Sequence, residues 1–314
     1  MNFATDILSI IISALISFSF LSLATFGIVL IFKTSSTTNF AQGMLGILGA
    51  YTTSYLIDKQ GVVDVTGLPS VTITSPTQLI LPILAGILVS FITGFLINNV
   101  IFKHAKFTNA ATKQIITMGL VIVITGLIPL IFGQTVTRVS FPFSQQTIMF
   151  QGIAVPVHQL ITLILSTIIL LTIFILLKYT KWGLGVRSVA SNERVAGMMG
   201  INTSVINSMS WAIAGALGAL SAITYTAAIG SMSVVTMTSI QINAFYASIL
   251  GGFSSFGGPL GGAFLLSAGQ AIFPKLLVTW NLAAWSNTLL YVSIILAVLI
   301  KPAGLFGKKI VKKV

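Results

Sequence analysis

Charged residues are scarce in this sequence. They make up 6% of its 314 residues, whereas hydrophobic residues make up 55%. A soluble domain carries about a quarter charged residues, so this chain cannot cover itself with a surface that suits water. The composition therefore predicts an all-α integral membrane protein whose solvent is lipid.

Cysteine is absent, and the other residues that hold metals are rare. The chain has no Cys, two His and four acidic residues. The absence of Cys excludes disulfides and thiolate metal sites, and the rarity of His and acids argues against a buried metal cluster. No Gly-rich phosphate loop ending in Lys-Ser or Lys-Thr is present. We therefore expect no catalytic residue, cofactor or metal in this chain.

Apolar segments fill most of the sequence and predict a polytopic helical bundle of about 8–9 membrane segments, in one domain covering residues 1–314. The first segment has no basic residue before it, so we expect a retained helix, not a signal peptide. The predicted segments cover residues 7–32, 40–57, 79–102, 114–132, 160–177, 202–229, 241–250, 260–273 and 284–300.

Two of these segments, residues 241–250 and 260–273, are short for a full crossing. Residues 251–259 separate them by a Gly/Pro-rich stretch, here called the break. Broken or tilted helices are expected there, because such backbone is tolerated at membrane depth only beside protein or a cavity. Residues 230–240 are expected to form a linker, and residues 133–158 a longer connection on the surface.

Basic residues lie in short stretches between the apolar segments. The net charge of +12 therefore indicates membrane orientation and not a nucleic-acid partner. If the crossings alternate, all 16 basic residues except Lys59, Arg138 and Lys275 lie on the cytoplasmic side. This register places the N-terminus outside and the break inside. No charged residue lies in the middle of a segment, which argues against a proton relay but leaves Na⁺ coupling open.

One polar stretch interrupts the apolar sequence between the predicted halves. It contains Arg187, Arg194 and the only glutamate, Glu193. Ser191 is expected to cap a short helix with Glu193 in its first turn, and Gly200 to end it. We interpret residues 178–206, here called the coupling segment, as a cytoplasmic loop and helix through which a partner moves the membrane part. A solvated helix turn is the simpler alternative.

Three stretches together resemble the permease subunits of branched-chain amino acid ABC importers. Residues 38–51 contain Asn-Phe-Ala-Gln-Gly followed by Gly-Ala-Tyr, as in the NFAxG…GAY signature of that family. Residues 182–202 are similar to its cytoplasmic coupling segment, and residues 250–262 to its LGG…GG stretch. The early position of NFAQG resembles the shorter of the two permease types, the H type.

The resemblance implies a fold and an assembly. The fold would be the α-helical bundle shared with vitamin B12 and ribose importers, in the cytoplasmic membrane of a prokaryote. The partners would be a second permease subunit, giving a hetero- or homodimer, two ATPase subunits that bind ATP and Mg, and an extracytoplasmic solute-binding protein.

The resemblance also implies roles for individual residues, although simpler roles stay open. In the simpler roles, Asn39 serves as a helix cap, Gln42 faces a neighbouring helix, Gly43 is a packing residue, and the break residues make a turn and let helices approach. Arg187 would equally hold the loop or contact lipid phosphate. The implied roles are ATPase coupling for Arg187, Glu193, Arg194 and Gly200, the translocation path for Asn39, Gln42 and Gly43, and a helix break or gate for Gly251, Gly252, Gly257, Gly258 and Pro259.

The substrate implied is a branched-chain or related small amino acid, with urea or a short amide as the alternative. The family often has His where Gln42 stands and an acidic or polar residue where Met44 stands, so the path is less polar here. An ion-coupled secondary transporter or channel, and a scaffold protein without transport, are the other classes that the composition allows.

Overall fold

The computed structural model describes residues 3–59, 77–104, 109–133, 146–230 and 232–307. The predicted outer loop of residues 58–78 and the connection of residues 133–158 are described only in part. Some charged residues used for the predicted orientation lie outside the described residues, namely Asp64, Lys106, Arg138, Lys308, Lys309, Lys312 and Lys313.

The described chain is a helical bundle with one β-hairpin. A π-helical turn, Ile97–Phe102, continues α3, and a short 3₁₀ helix, Ala283–Trp285, precedes α11. The elements are α1 (Phe3–Ser35), α2 (Gln42–Lys59), α3 (Thr77–Leu96), α4 (Ala110–Phe132), β1 (Thr147–Phe150), β2 (Ile153–Pro156), α5 (Val157–Tyr179), α6 (Lys181–Ser191), α7 (Glu193–Met198), α8 (Thr203–Ile229), α9 (Val234–Gly251), α10 (Gly258–Val278) and α11 (Ser286–Ile300).

Seven helical stretches among the described residues are long and apolar enough to cross a membrane. They confirm a multi-pass helical membrane protein, but they are fewer than the 8–9 segments predicted. The remaining long helices, α2 and α9, have 18 residues each and are not among the seven. The seven stretches are Thr5–Ser35, Gln78–Phe102, Ala110–Phe132, Val157–Tyr179, Thr203–Ile229, Gly258–Val278 and Ala283–Ile300.

Helix α8 runs through the middle of the bundle and packs against α1, α2 and α3. Small residues let the backbones approach closely, as is usual between helices in lipid. A Cβ on Gly46 of α2 would lie 2.5 Å from the carbonyl oxygen of Gly218, and one on Gly215 would lie 2.3 Å from that of Ser90. The small-residue pattern of residues 211–222 therefore places α8 at the centre.

The helices on either side of the break are longer than the sequence predicted. Helix α9 begins at Val234, where the Ser233 hydroxyl accepts the Thr236 amide at 3.1 Å, so the linker predicted for residues 230–240 is wrong from Val234 onward. Helix α10 continues to Val278 through Pro274. Ser and Thr lower the hydropathy near the start of α9, but buried Met237 and Ile240 pack it into the core. Neither helix is a short fragment.

The two ends of the bundle differ in charge. At one end, Lys33 donates to the carbonyl of Ser254 in the break at 2.6 Å, and Lys113 donates to that of Ser35 at 3.3 Å. At the other end, Lys275 donates to the carbonyl of Asp6 at 3.2 Å. Alternating membrane crossings, as predicted from the sequence, also place the break on the same side as Lys33 and Lys113, and Lys275 on the opposite side.

Candidate functional site

The connection between α1 and α2 turns back into the bundle. Helix α1 ends at Ser35, yet the side-chain amide of Gln42, the first residue of α2, reaches Gly27, roughly two helical turns before that end. The connection is therefore re-entrant. It contains Asn39 of the predicted path and leads directly into the other two residues, Gln42 and Gly43. Irregular backbone of this kind is tolerated at membrane depth where protein satisfies its polar groups.

Side chains satisfy the backbone of this re-entrant connection. The Phe40 amide donates to Thr117 Oγ1 at 3.1 Å, and the Ala41 amide donates to Asn39 Oδ1 at 2.9 Å. Asn39 Nδ2 in turn donates to Gln42 Oε1 at 3.2 Å. Asn39 thus caps the turn that leads into α2, and these amides are not free to bind a solute carboxylate.

Gln42 is fixed in the core of the bundle. Its side chain is buried, and its Nε2 donates to the carbonyl oxygen of Ala214 on α8 at 2.6 Å. Gly27 and Gly218 make room for it, because a Cβ on either would lie within 3.0 Å of Gln42 Nε2. The residue predicted for the path therefore links α2 to α8 in this conformation.

Gln241 is a residue of this site that the sequence analysis did not select. Its Oε1 accepts the Gly43 amide at 2.8 Å, and its Nε2 donates to the carbonyl of Phe40. Gly43 is required at this contact, since a Cβ there would lie 2.6 Å from Gln241 Oε1. The signal is present in the sequence, because an amide between two isoleucines in an apolar segment is costly without partners, and Gln241 is such a residue.

A groove of about 560 Å³ lies on the other side of this connection, between α2, α4 and α9. The connection contributes Thr38 and Phe40 to it, and the first turn of α2 contributes Met44, whereas Asn39, Gln42 and Gly43 are not among its lining residues. Its wall is almost entirely apolar, and Gln241 is one of its few polar groups. The full lining is Thr38, Phe40, Met44, Met118, Val121, Ile122, Thr238, Gln241, Ile242, Phe245, Tyr246 and Ile249.

The coupling segment is two short helices and not one. Helix α6 ends at Ser191 and α7 begins at Glu193, so the prediction that Ser191 caps the helix is wrong. Asn192 has the extended backbone of a cap, and its Oδ1 accepts the Val195 amide at 3.1 Å. Gly200, with φ of +85°, ends α7 as predicted. The sequence does not distinguish Asn192 from Ser191 as the cap, because Ser and Asn are equally good caps.

The predicted coupling residues are exposed. Arg187 Nη2 donates to the carbonyl of Lys178 at 3.3 Å, which holds α6 against the end of α5. Glu193 Oε1 accepts a hydrogen bond from Asn207 Nδ2 on α8 at 3.0 Å. Met198 and Met199 are 73% and 79% exposed at the tip of α7. The segment is thus anchored to α5 and α8 and presents an apolar tip beside charged groups.

A polar cleft of about 250 Å³ connects the coupling segment to the end of α1. Its walls bring together parts of the chain that are distant in sequence, including the start of α4 and the π-helical turn. In that turn Asn98 Nδ2 donates to Ser208 Oγ on α8 at 2.9 Å. The lining residues are Ser35, Thr37, Asn98, Phe102, Lys103, Lys113, Glu193, Thr203, Ser204 and Asn207.

The break is a tight turn that other parts of the chain hold in place. Gly252 has φ of +87°, and a Cβ on Gly251 would lie 2.1 Å from the carbonyl oxygen of Gly258. The Ser255 hydroxyl accepts the Gly258 amide at 2.9 Å at the start of α10, where Pro259 follows. Gly257 has open space around it. These contacts are those of a turn, and gating by the break stays a prediction.

The break also binds the segment that follows α11. The amides of Leu305 and Phe306 donate to the carbonyls of Leu250 and Gly251 at 2.7 and 3.3 Å. In the part of the chain that the structure describes, no group of three or more His, Cys, Asp or Glu lies together.

Comparison with known proteins gives one family over nearly the whole chain. The family described as branched-chain amino acid transport system, permease component, matches residues 10–299. The high-affinity branched-chain amino acid transport system permease protein LivH of Salmonella typhimurium is 21% identical over 297 residues, which cover 93% of each chain.

Two further relatives carry similar names. The corresponding Pseudomonas aeruginosa protein, BraD, is 22% identical over 299 residues, 93% of each chain. A probable branched-chain amino acid transport permease protein LivH of Methanocaldococcus jannaschii is 26% identical over 307 residues, which are 94% of this chain and 90% of the relative. No solved structure matches this chain significantly.

Proposed function

The chain belongs to the family of branched-chain amino acid transport permease components, and from this premise we propose that it is the H-type permease subunit of an ATP-driven importer of branched-chain or related small amino acids. It performs no covalent chemistry. Its partners are a second permease subunit, two ATPase subunits that bind ATP and Mg, and an extracytoplasmic solute-binding protein. The membrane is the cytoplasmic membrane of a prokaryote.

The observation that carries this proposal is the exposed tip of the coupling segment. Met198 and Met199 share a helix face with the exposed Val195, and a contiguous exposed apolar patch marks an interaction site. Glu193 and Arg194 lie in the first turn of the same short helix, so charged groups are close to this patch, as at the rim of a protein interface. A cytoplasmic ATPase fits this surface, because the segment lies at the basic end of the bundle.

The polar cleft supplies a route from the ATPase to the membrane part. Glu193 at the start of α7 and Ser35 at the end of α1 line the same cleft. A shift of the coupling segment would thus change the packing at the entrance to the re-entrant connection. Alternating access requires that the ATPase bind two states of the permease with different affinity, and this cleft is where those states would differ.

The groove beside the re-entrant connection is proposed as one wall of the translocation pathway. Asn39, Gln42 and Gly43 form the frame behind that wall, and Thr38, Phe40 and Met44 face the solute. The second permease subunit would complete the pathway. If α2 and α9 also cross the membrane, they and the seven apolar stretches give nine crossings with the N-terminus outside. The fold proposed for this arrangement is the vitamin B12 and ribose importer type.

The apolar wall favours a solute with an apolar side chain. A zwitterionic amino acid needs no fixed counter-charge in the pathway, and the groove offers Gln241 and two threonines as polar contacts. The names of the relatives, which are branched-chain amino acid permeases, support the same substrate class. Urea and short amides would need more polar contacts than this wall provides.

The experiment is copurification of the ATPase from native membranes in mild detergent. We compare the wild-type chain, Met198→Glu/Met199→Glu, and the matched control Met198→Leu/Met199→Leu. The Glu variant should lose roughly tenfold or more of the bound ATPase, as expected for a central interface contact, whereas the Leu variant should keep it.

Two results would contradict the proposal. One is that no ATPase accompanies the wild-type chain although it elutes as a single symmetric species. The other is solute uptake by liposomes that contain this chain alone, driven by a Na⁺ gradient, which would identify a secondary transporter. If the ATPase copurifies, the accompanying binding protein can be screened with leucine, isoleucine, valine and urea.

A further inference from the structure

The connection between α4 and α5 contains a β-hairpin whose second strand contacts α5 and whose first strand is exposed. Strand β1 pairs with β2 in antiparallel register, with Ile148 opposite Val155 and Phe150 opposite Ile153. Gln151 and Gly152 form the two-residue turn with φ of +48° and +85°, which matches the twist of paired strands. The Val157 amide donates to the carbonyl of Gln146 at 2.9 Å, so the base of the hairpin is fixed to the first residue of α5.

Three consecutive large apolar residues of β1 are exposed. Ile148, Met149 and Phe150 are 50%, 71% and 53% exposed. A two-stranded hairpin is marginally stable in water by itself, and it needs an apolar surface to pack against. Val155 of β2 is buried, but every residue of β1 is exposed, so the described part of the chain packs against β2 and leaves β1 uncovered.

The hairpin continues the outward-facing apolar surface of α5. No loop separates β2, which ends at Pro156, from α5, which begins at Val157. Helix α5 exposes Ile161, Ile164 and Ile168 along its outer side, at 47%, 62% and 54%. Such a helix face at membrane depth is covered by lipid. The hairpin therefore stands where this face meets the membrane surface, at the end of α5 opposite the coupling segment.

The hairpin lacks the polar rim of a protein-docking surface. Its sequence from Thr147 to Val157 contains no charged residue. Protein interfaces surround their apolar centre with polar and charged groups, as the tip of the coupling segment does. An uncharged element that carries an exposed aromatic residue at a membrane boundary is instead typical of the lipid interface.

We propose that the β-hairpin of residues 147–156 is a lipid-interface anchor, which inserts Ile148, Met149 and Phe150 among the headgroups and upper acyl chains next to α5. The occupant of this apolar surface is the membrane itself, and the anchor fixes the depth and tilt of α5. The proposal requires that the chain span a membrane, but it does not require the chain to be an importer.

The absence of cysteine makes a direct test possible. In nanodiscs, Met149→Cys carries a single environment-sensitive fluorophore, and Met198→Cys is the matched control, since these two methionines are 71% and 73% exposed. Nitroxide lipids labelled near the headgroup or near the chain end measure depth, and aqueous iodide measures contact with water. Symmetric elution and retained helical circular dichroism show that each variant is folded.

The expected result is strong quenching at Met149→Cys by the shallow nitroxide lipid and weak quenching by iodide. At Met198→Cys we expect weak quenching by the nitroxide lipid and strong quenching by iodide. We expect the ratio of lipid to iodide quenching to differ at least several-fold between the two sites.

Two results would overturn the anchor. Iodide quenching at Met149→Cys as strong as at Met198→Cys would place the hairpin in water. Protection from both quenchers would show that a protein, such as a second copy in the same disc, covers it. If Met149→Cys does not fold, Ala154→Cys replaces it, because Ala154 is the exposed cross-strand partner of Met149 and lies on the same face of the hairpin.

Discussion

Helix α8 and the coupling segment are adjacent in the chain, but they use their side chains in opposite ways. In α8, Trp211 is completely buried and Leu217 is 2% exposed, and small residues bring its backbone against three other helices. In the coupling segment, Met198 and Met199 are mostly exposed. Residues of α8 hold the bundle together, whereas the exposed methionines are available to another molecule. Substitutions in the two regions should therefore have different effects.

The largest effect is expected where α8 meets α2. Gly46→Leu would place a side chain against the Gly218 backbone, which cannot move away without separating the helices. We expect this variant to yield no symmetric peak in fluorescence-detected gel filtration. The matched control is Gly119→Leu in α4, where nothing lies within 4 Å of an added Cβ. An equally poor yield of the control would show that the effect is general to glycine replacement.

The next effect is expected at the contact between α9 and the re-entrant connection. Gln241→Leu leaves the Gly43 amide and the Phe40 carbonyl without their partners, which should cost about 2 to 6 kcal/mol at roughly 1 to 3 kcal/mol per orphaned group. The measurement is thermal unfolding in detergent, combined with solute uptake by the reconstituted transporter. Thr238→Val, on the same helix and exposed, should leave the melting temperature unchanged, and an equal loss in both variants would contradict the role of Gln241.

A smaller, local effect is expected at the cap of α7. Asn192→Ala removes the acceptor for the Val195 amide and should destabilise α7 by about 1 kcal/mol. Ser191→Ala should change nothing, because Ser191 belongs to the preceding helix. Hydrogen exchange of the amides of residues 193–199 distinguishes the two variants. Faster exchange in Ser191→Ala alone would show that Ser191 is the cap, as the sequence first indicated.

The smallest effect on stability is expected at the contact between Glu193 and Asn207. Glu193 is exposed and Asn207 is half-buried, and the hydrogen bond between them lies at the surface, so Glu193→Ala and Asn207→Ala should each lower the free energy of unfolding by about 1 kcal/mol or less. Uptake should nevertheless fall in both variants, and the double variant should transport no worse than either single one. Additive losses of uptake would mean that the two residues act separately.

Much of the candidate site could be predicted from the sequence, but only as stretches of chain. The polar residues 178–200 and the Asn-Phe-Ala-Gln-Gly run stood out because they interrupt apolar segments. Which side chains of each stretch meet a cavity could not be predicted. An apolar helix in lipid lacks the one-sided polar pattern that reveals the buried face of a soluble helix.

The sequence by itself determined the solvent, the family and the distribution of charge. Scarce charge requires lipid, and basic residues confined to short stretches identify one end of the bundle. The tertiary structure decided that Gln42 is buried against Ala214, that Gln241 holds Phe40 and Gly43, and that residues 147–156 form a hairpin. The reason is physical, since these outcomes depend on hydrogen bonds between groups as far as 201 residues apart and on a strand pairing that no local hydropathy pattern encodes.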